Sequence, residues 1–115
     1  MSEVLAQSVD RLSRVSGVLG AMIVDAEAGV PVVAEMTAGV ESGPVAALAS
    51  SLFRRTTNAA STAGFGGVRT MQLEADHGHV IVAGAGELLV VVVVERNAQL
   101  GLVRLEASRS AEALA

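Results

Sequence analysis

The sequence predicts an α/β protein of the α+β type. It has a five-stranded, mostly antiparallel sheet with helices on both faces, in the element order α-β-β-α-β-β-β-α. Three observations lead there. The stretch "ELLVVVVVER" (87–96) holds an unbroken apolar run from Leu88 to Val94, closed by Glu87 and by Glu95 and Arg96. A membrane-spanning helix needs about 20 apolar residues, so this run is too short to span. Valine is β-branched and favours strands, and a half-exposed strand would alternate apolar and polar residues. This run does not alternate, so it is read as a strand inside a sheet, covered on both faces. The second observation is that every pair of successive strands except the second and third is joined by a connection of hairpin length, which favours antiparallel pairing. The third is that three segments carry apolar residues at helical spacing, which gives the sheet its covering layers.

In chain order, residues 3–15 read as a helix. Leu5, Val9 and Leu12 form its stripe, Val15 completes it, Ser2 is a candidate N-cap and Gly17 a stop. "GVLGAMIVD" (17–25) is the first strand, "AEAG" (26–29) a turn and "VPVVAEM" (30–36) the second strand. Pro31 lacks an N–H, which places it at a sheet edge or a strand start. After the loop 37–43, Pro44 suits a first helical residue, and the second helix runs to about Ala63. Val45, Leu48, Ala49, Leu52, Thr56 and Ala59 share one face of this helix. Ala47, Ser50, Arg54, Asn58 and Ser61 share the opposite face, which is small and polar and is expected to point outward. "GFGG" (64–67) breaks the helix. "VRTMQLEAD" (68–76) is the third strand, with Val68, Thr70, Gln72 and Glu74 on one side and Arg69, Met71, Leu73 and Ala75 on the other. Residues 77–78 are a tight turn. Residues 79–86 and 87–95 form a hairpin around Gly84–Gly86, and a last helix covers 98–113 with Leu100, Val103, Ala107 and Ala111 in register.

Length and composition narrow the function classes. A chain of 115 residues is expected to form one domain over 1–115. It should bury roughly two-thirds of its unfolded surface. Only Phe53 and Phe65 are aromatic, which lowers the expectation of base-stacking or sugar-stacking sites. The net charge is -4 and the 8 basic residues are scattered, so no nucleic-acid partner is expected. There is no cysteine. This excludes disulfides, thiol catalysis and zinc–thiolate sites and fits a reducing cytoplasm. The N-terminal residues carry charges throughout and show no apolar core of a signal peptide.

No motif carries catalytic chemistry, and the expectation is no catalytic residue, no cofactor and no metal. His77 and His79 flank Gly78, but a metal site would need further ligands and only Asp76 is near in sequence. They read as polar residues at an exposed hairpin tip. "GAGEL" (84–88) lies between two strands, whereas a dinucleotide-binding glycine motif opens a helix. "GFGG" has no Lys-Ser/Thr pair after it. The carboxylates fall mostly at strand ends and turns, and the serines of the second helix sit in no nucleophile elbow. Arg54 and Arg55, about 100° apart on the helix, form a solvated face or meet an acidic partner. What remains is an alternating strand at 68–76, a candidate sheet edge open to another strand, beside a helix with a small-residue outer face. The pairing suggests an interaction module that dimerises.

The segments "VSGVLGAMIVDAEAGVPVVAE" (15–35), the Ala/Ser-rich second helix, "VRTMQLEADHGHVIVAGAGELLVVVVV" (68–94) and "NAQLGLVRLE" (97–106) carry a resemblance. In order and spacing the chain resembles the roadblock / dynein light chain family of longin-like folds over nearly its whole length. The resemblance implies strand order 2-1-5-4-3, with the first and last helices on one face and the second on the other. It implies a homodimer formed by third-strand pairing and second-helix packing. It also implies a non-enzymatic adaptor of a small Ras-like GTPase. Bacterial relatives resembling the gliding-motility regulator stimulate GTP hydrolysis by repositioning the GTPase's own residues, and other members are scaffolds or dynein light chains. On this basis Val68, Thr70 and Gln72 are expected on the pairing strand. Ala47, Ser50, Arg54 and Asn58 are expected on the helix face that meets its twin or the GTPase. The chain carries no tail after the last helix, so contacts that a relative makes through such a tail are not expected. The expected setting is cytoplasmic, with no membrane insertion. The alternative is a small-molecule-sensing or scaffold module of longin-like fold, favoured by an apolar pocket beneath the second helix.

Overall fold

A computed structural model describes residues 2–115. The elements are α1 (Ser2–Ser13), β1 (Val18–Asp25), β2 (Val30–Met36), α2 (Ser42–Thr62), β3 (Thr70–Ala75), β4 (Gly78–Ala85), β5 (Leu88–Val94) and α3 (Leu100–Leu114). The element order is the expected one, and the sheet order is β2-β1-β5-β4-β3 with every neighbouring pair antiparallel.

Boundaries shift where local chemistry decides them. Helix α2 starts at Ser42, two residues before Pro44. Proline still fits there, because N–H groups of the first turn have no intrahelical acceptor. Strand β3 starts at Thr70 rather than Val68. The glycines at 64, 66 and 67 hold no strand conformation, and the ladder closes only where the Arg69 carbonyl accepts the Gly84 N–H at 2.9 Å. The two late hairpins turn at Asp76–His77 and Gly86–Glu87, so Gly84 lies inside β4.

The apolar residues sort into two layers. On one side α1 offers Leu5, Val9 and Leu12, and α3 offers Val103, Ala107 and Ala111. They cover Ile23, Ile81, Ala83, Val90, Val92 and Val94. On the other side α2 lays Ala46 and Ala49 over Met22, Val24, Val82, Leu89 and Val91, with Phe53 partly buried beside them. Alternate residues of β5 therefore enter opposite cores. The valine run lacks polar residues because its residues enter a core on each face, Val93 alone among the valines being half-buried.

Val92 pairs with Ala21 on β1 and with Ile81 on β4 and is fully buried toward α1 and α3. Val92→Asp is expected to abolish the cooperative thermal transition. An unpaired buried carboxylate costs several kcal/mol against a total stability of about 5–15 kcal/mol. Val92→Ala is expected to keep the fold and lose about 1–3 kcal/mol in denaturant titrations. A folded Val92→Asp protein would contradict a β5 covered on both faces.

Candidate interaction surface

The sheet has two edges, and they differ. β2 pairs with β1 through a ladder whose register shifts between Ile23 and Val24, and Pro31 sits inside the strand. A bulge and a proline both blunt an edge against further pairing. β3 carries neither. Its register runs without interruption from Thr70↔Ala83 to Ala75↔Gly78. The Gly84 N–H to Arg69 carbonyl bond fixes the phase of that ladder. Odd-numbered residues of β3 point their backbone groups at β4, and Thr70, Gln72 and Glu74 point theirs away from it. Those donors and acceptors line an open edge.

The side chains of Thr70 and Gln72 are exposed, and the Gln72 amide oxygen accepts a bond from Arg104 Nη1 at 3.0 Å. That bond ties β3 to α3 on one face of the sheet. On the other face Thr56 Oγ1 of α2 donates to Met71 Sδ at 3.5 Å. Val68 lies before the strand and is half-buried, so it is not a ladder residue.

The structure corrects the face of α2. Ser50, expected outside, is 4% exposed, and its hydroxyl donates to the Ala47 carbonyl at 3.3 Å. Leu48, on the opposite side of that division, is 41% exposed. Thr56 and Ala59 are also exposed. The inward positions are Ala46, Ala49 and Ser50, with Phe53 and Thr57 below them. The reason is close approach. At Gly29, with φ +70°, a Cβ would stand 2.8 Å from Ser50 Oγ, so the β1–β2 turn lies directly against α2. At Gly84 a Cβ would stand 3.1 Å from the Phe53 ring. A small residue faces the turn at Ser50, the Phe53 ring is accommodated over Gly84, and Leu48 is turned out. Of the expected helix positions, Ala47, Arg54 and Asn58 are exposed. Arg54 and Asn58 flank a groove between α2 and the β1–β2 turn.

Phe65 was not singled out by the sequence pattern. It is 85% exposed in the glycine-rich link between α2 and β3. Its N–H donates to the Ala60 carbonyl at 2.9 Å, which seats it at the end of α2. An aromatic between glycines in a chain with only two aromatics was the available signal.

The histidines separate. His77 is exposed in the turn, but His79 is 5% exposed, with Nε2 3.2 Å from the Arg96 carbonyl oxygen. The exposed-tip reading is therefore wrong for His79. It begins a buried row with Val94 of β5 and ties β4 to the link before α3. Among the described residues no three His, Asp or Glu side chains are grouped to hold a metal ion. No helix among them is long and apolar enough to cross a membrane.

Comparison with known proteins agrees with this architecture. The Roadblock/LC7 domain family matches residues 5–94. Two uncharacterised proteins of Methanocaldococcus jannaschii are 31% and 30% identical to the chain over 101 residues, covering 88% of it and 85% and 88% of their own lengths. The gliding protein MglB of Thermus thermophilus has a structure similar at a TM-score of 0.84 and 23% identity, over 97% of this chain and 86% of that one. A Roadblock/LC7 domain from Streptomyces avermitilis is similar at a TM-score of 0.80 and 21% identity, over 98% of this chain and 92% of that one.

The seating of α2 on the turn is testable at Gly29. Gly29→Ala places a side chain in the left-handed region and against Ser50. It is expected to lower stability by about 1–3 kcal/mol, read as an earlier denaturation midpoint at unchanged m-value. An unchanged midpoint would mean that the turn does not touch α2.

Proposed function

The chain belongs to the Roadblock/LC7 family, and from that premise we propose a non-enzymatic homodimeric adaptor that binds a small Ras-like GTPase in the cytoplasm. It modulates the GTPase's nucleotide cycle or its localisation. The observation that carries the reading is the open β3 edge, continuous through the Thr56–Met71 contact with the exposed side of α2. Two copies meeting at β3 extend the sheet by main-chain hydrogen bonds. The same approach brings Leu48 of each copy toward its counterpart and removes apolar surface from water. Symmetric contact of this kind makes a closed dimer. The paired helices then form a broad platform edged by Arg54, Arg55 and Asn58. That platform is the surface offered to the GTPase, and its arginines suit an acidic partner. The shared fold with a protein named as a gliding protein supports this reading.

The dimer and the GTPase are separable in experiment. Thr70→Pro removes an N–H that points away from β4, so the intrachain ladder keeps its bonds. Light scattering is expected to give two chains for the parent and one for Thr70→Pro, with native circular dichroism in both. Leu48→Glu is expected to give the same monomer, because that side chain is already in water when the copies are apart. A parent that stays monomeric at high concentration would exclude the dimer.

For the partner, the protein is mixed with Ras-like GTPases of the same genome loaded with GDP or with a non-hydrolysable GTP analogue. Binding to one nucleotide state, or a changed hydrolysis rate, is expected. No binding in either state and no rate change would exclude GTPase regulation.

A further inference from the structure

Between α2 and the β1–β2 turn runs a groove of about 340 Å³. This is at the small end of ligand sites. Ala26, Phe53 and Leu89 line it with apolar surface. The close approach of Gly29 to Ser50 brings the turn against the helix beside it, and the Phe53 ring rests on Gly84 of β4. The walls therefore come from elements packed against one another.

Two of the residues that line the groove, Arg54 and Glu27, are of opposite charge. Arg54 reaches from α2 and donates from Nη2 to the Glu27 backbone carbonyl at 3.4 Å. That leaves the other guanidinium donors free. Glu27, an acidic residue of the turn, also lines the groove. Among the described residues the ion pairs are Arg14–Asp10 and Arg109–Glu106, so neither Arg54 nor Glu27 is neutralised by a partner. In the helix wall, Thr57 Oγ1 is buried without a hydrogen-bond partner. Buried polar atoms are ordinarily satisfied, and Thr57 lines the same groove.

We propose that this groove binds a zwitterion with an apolar body, of the class of an amino acid with an apolar side chain. Its carboxylate sits on the Arg54 guanidinium and its ammonium on the Glu27 carboxylate. Its side chain lies on Phe53, Leu89 and Ala26. An apolar anion would leave Glu27 beside a like charge, and an apolar cation would do the same to Arg54. Only a ligand carrying both signs uses both ends of the site. The site lies away from the β3 edge, although Arg54 and Asn58 also border the platform proposed for the GTPase.

The test is an amide NMR titration of the intact protein with L-phenylalanine, phenylacetate and phenethylamine. Saturable shifts at Ser50, Phe53 and Leu89 are expected, with phenylalanine bound about tenfold more tightly than either single-charge analogue. Arg54→Gln should weaken phenylalanine and phenylacetate but leave phenethylamine unchanged. Glu27→Gln should weaken phenylalanine and phenethylamine but leave phenylacetate unchanged. Both side chains are exposed, and the same spectra report that the variants are folded. Ala26→Phe, which fills the groove, should remove all three. No saturable shift with phenylalanine at millimolar concentration, binding that survives Ala26→Phe, or loss without the crossed pattern would each overturn the proposal.

Discussion

The double burial of β5 is the constraint from which the rest of the molecule follows. A strand of seven apolar residues, five of them buried, calls for a strand on each edge and a helix layer on each face. β1 and β4 supply the edges, α1 with α3 one layer and α2 the other. Each fully buried valine contributes roughly 1.5–3 kcal/mol before conformational entropy is subtracted. No other element concentrates that much apolar surface in so few residues. With β5 central and its hairpin partner β4 beside it, β3 and β2 are left as the outer strands.

The two outer strands then serve different ends. β2 is irregular, with a proline and a register shift, and its turn folds onto α2 to shape the groove. β3 is regular and presents the backbone groups of Thr70, Gln72 and Glu74 outward. Helix α2 serves both regions. Its buried side uses alanine and serine, which lets the backbone settle close to the sheet. One flank carries Arg54 to the groove, and the outer side leaves Leu48 in water. The chain thus keeps its chemistry at surfaces made by packing, while the strand that organises the packing is buried except at the half-buried Leu88 and Val93.

Much of the candidate surface was legible before any coordinates. The alternation over residues 70–74 matches the burial pattern, with Thr70, Gln72 and Glu74 exposed and Met71 and Leu73 half-buried, because a period of two survives a small error in the strand's start; Ala75, at the strand end, breaks it. Val68 was included because an apolar residue continues the alternation. The chain there is irregular, and alternation cannot tell a strand from a glycine-rich approach to one. Helix α2 was harder. Apolar spacing put Leu48 inward and Ser50 outward, which is the choice hydrophobicity alone makes. The structure inverts both, since the close approach of Gly29 favours a small side chain at Ser50. His79 was misplaced for a related reason. A polar residue beside a turn reads as exposed until a carbonyl from Arg96, seventeen residues away, comes down over it.

The sequence by itself determined the element order, the antiparallel sheet, the centrality of the valine strand and that this run is too short to span a membrane. All of these rest on patterns local to a few residues, namely periodicity, β-branching, glycine turns and run length. Tertiary structure alone decided the rotation of α2, the burial of Ser50 and His79, and the meeting of Arg54 with Glu27 in one groove. These depend on how closely two surfaces approach. That distance is set by the side chains of both, and residues far apart in the chain do not announce it to one another.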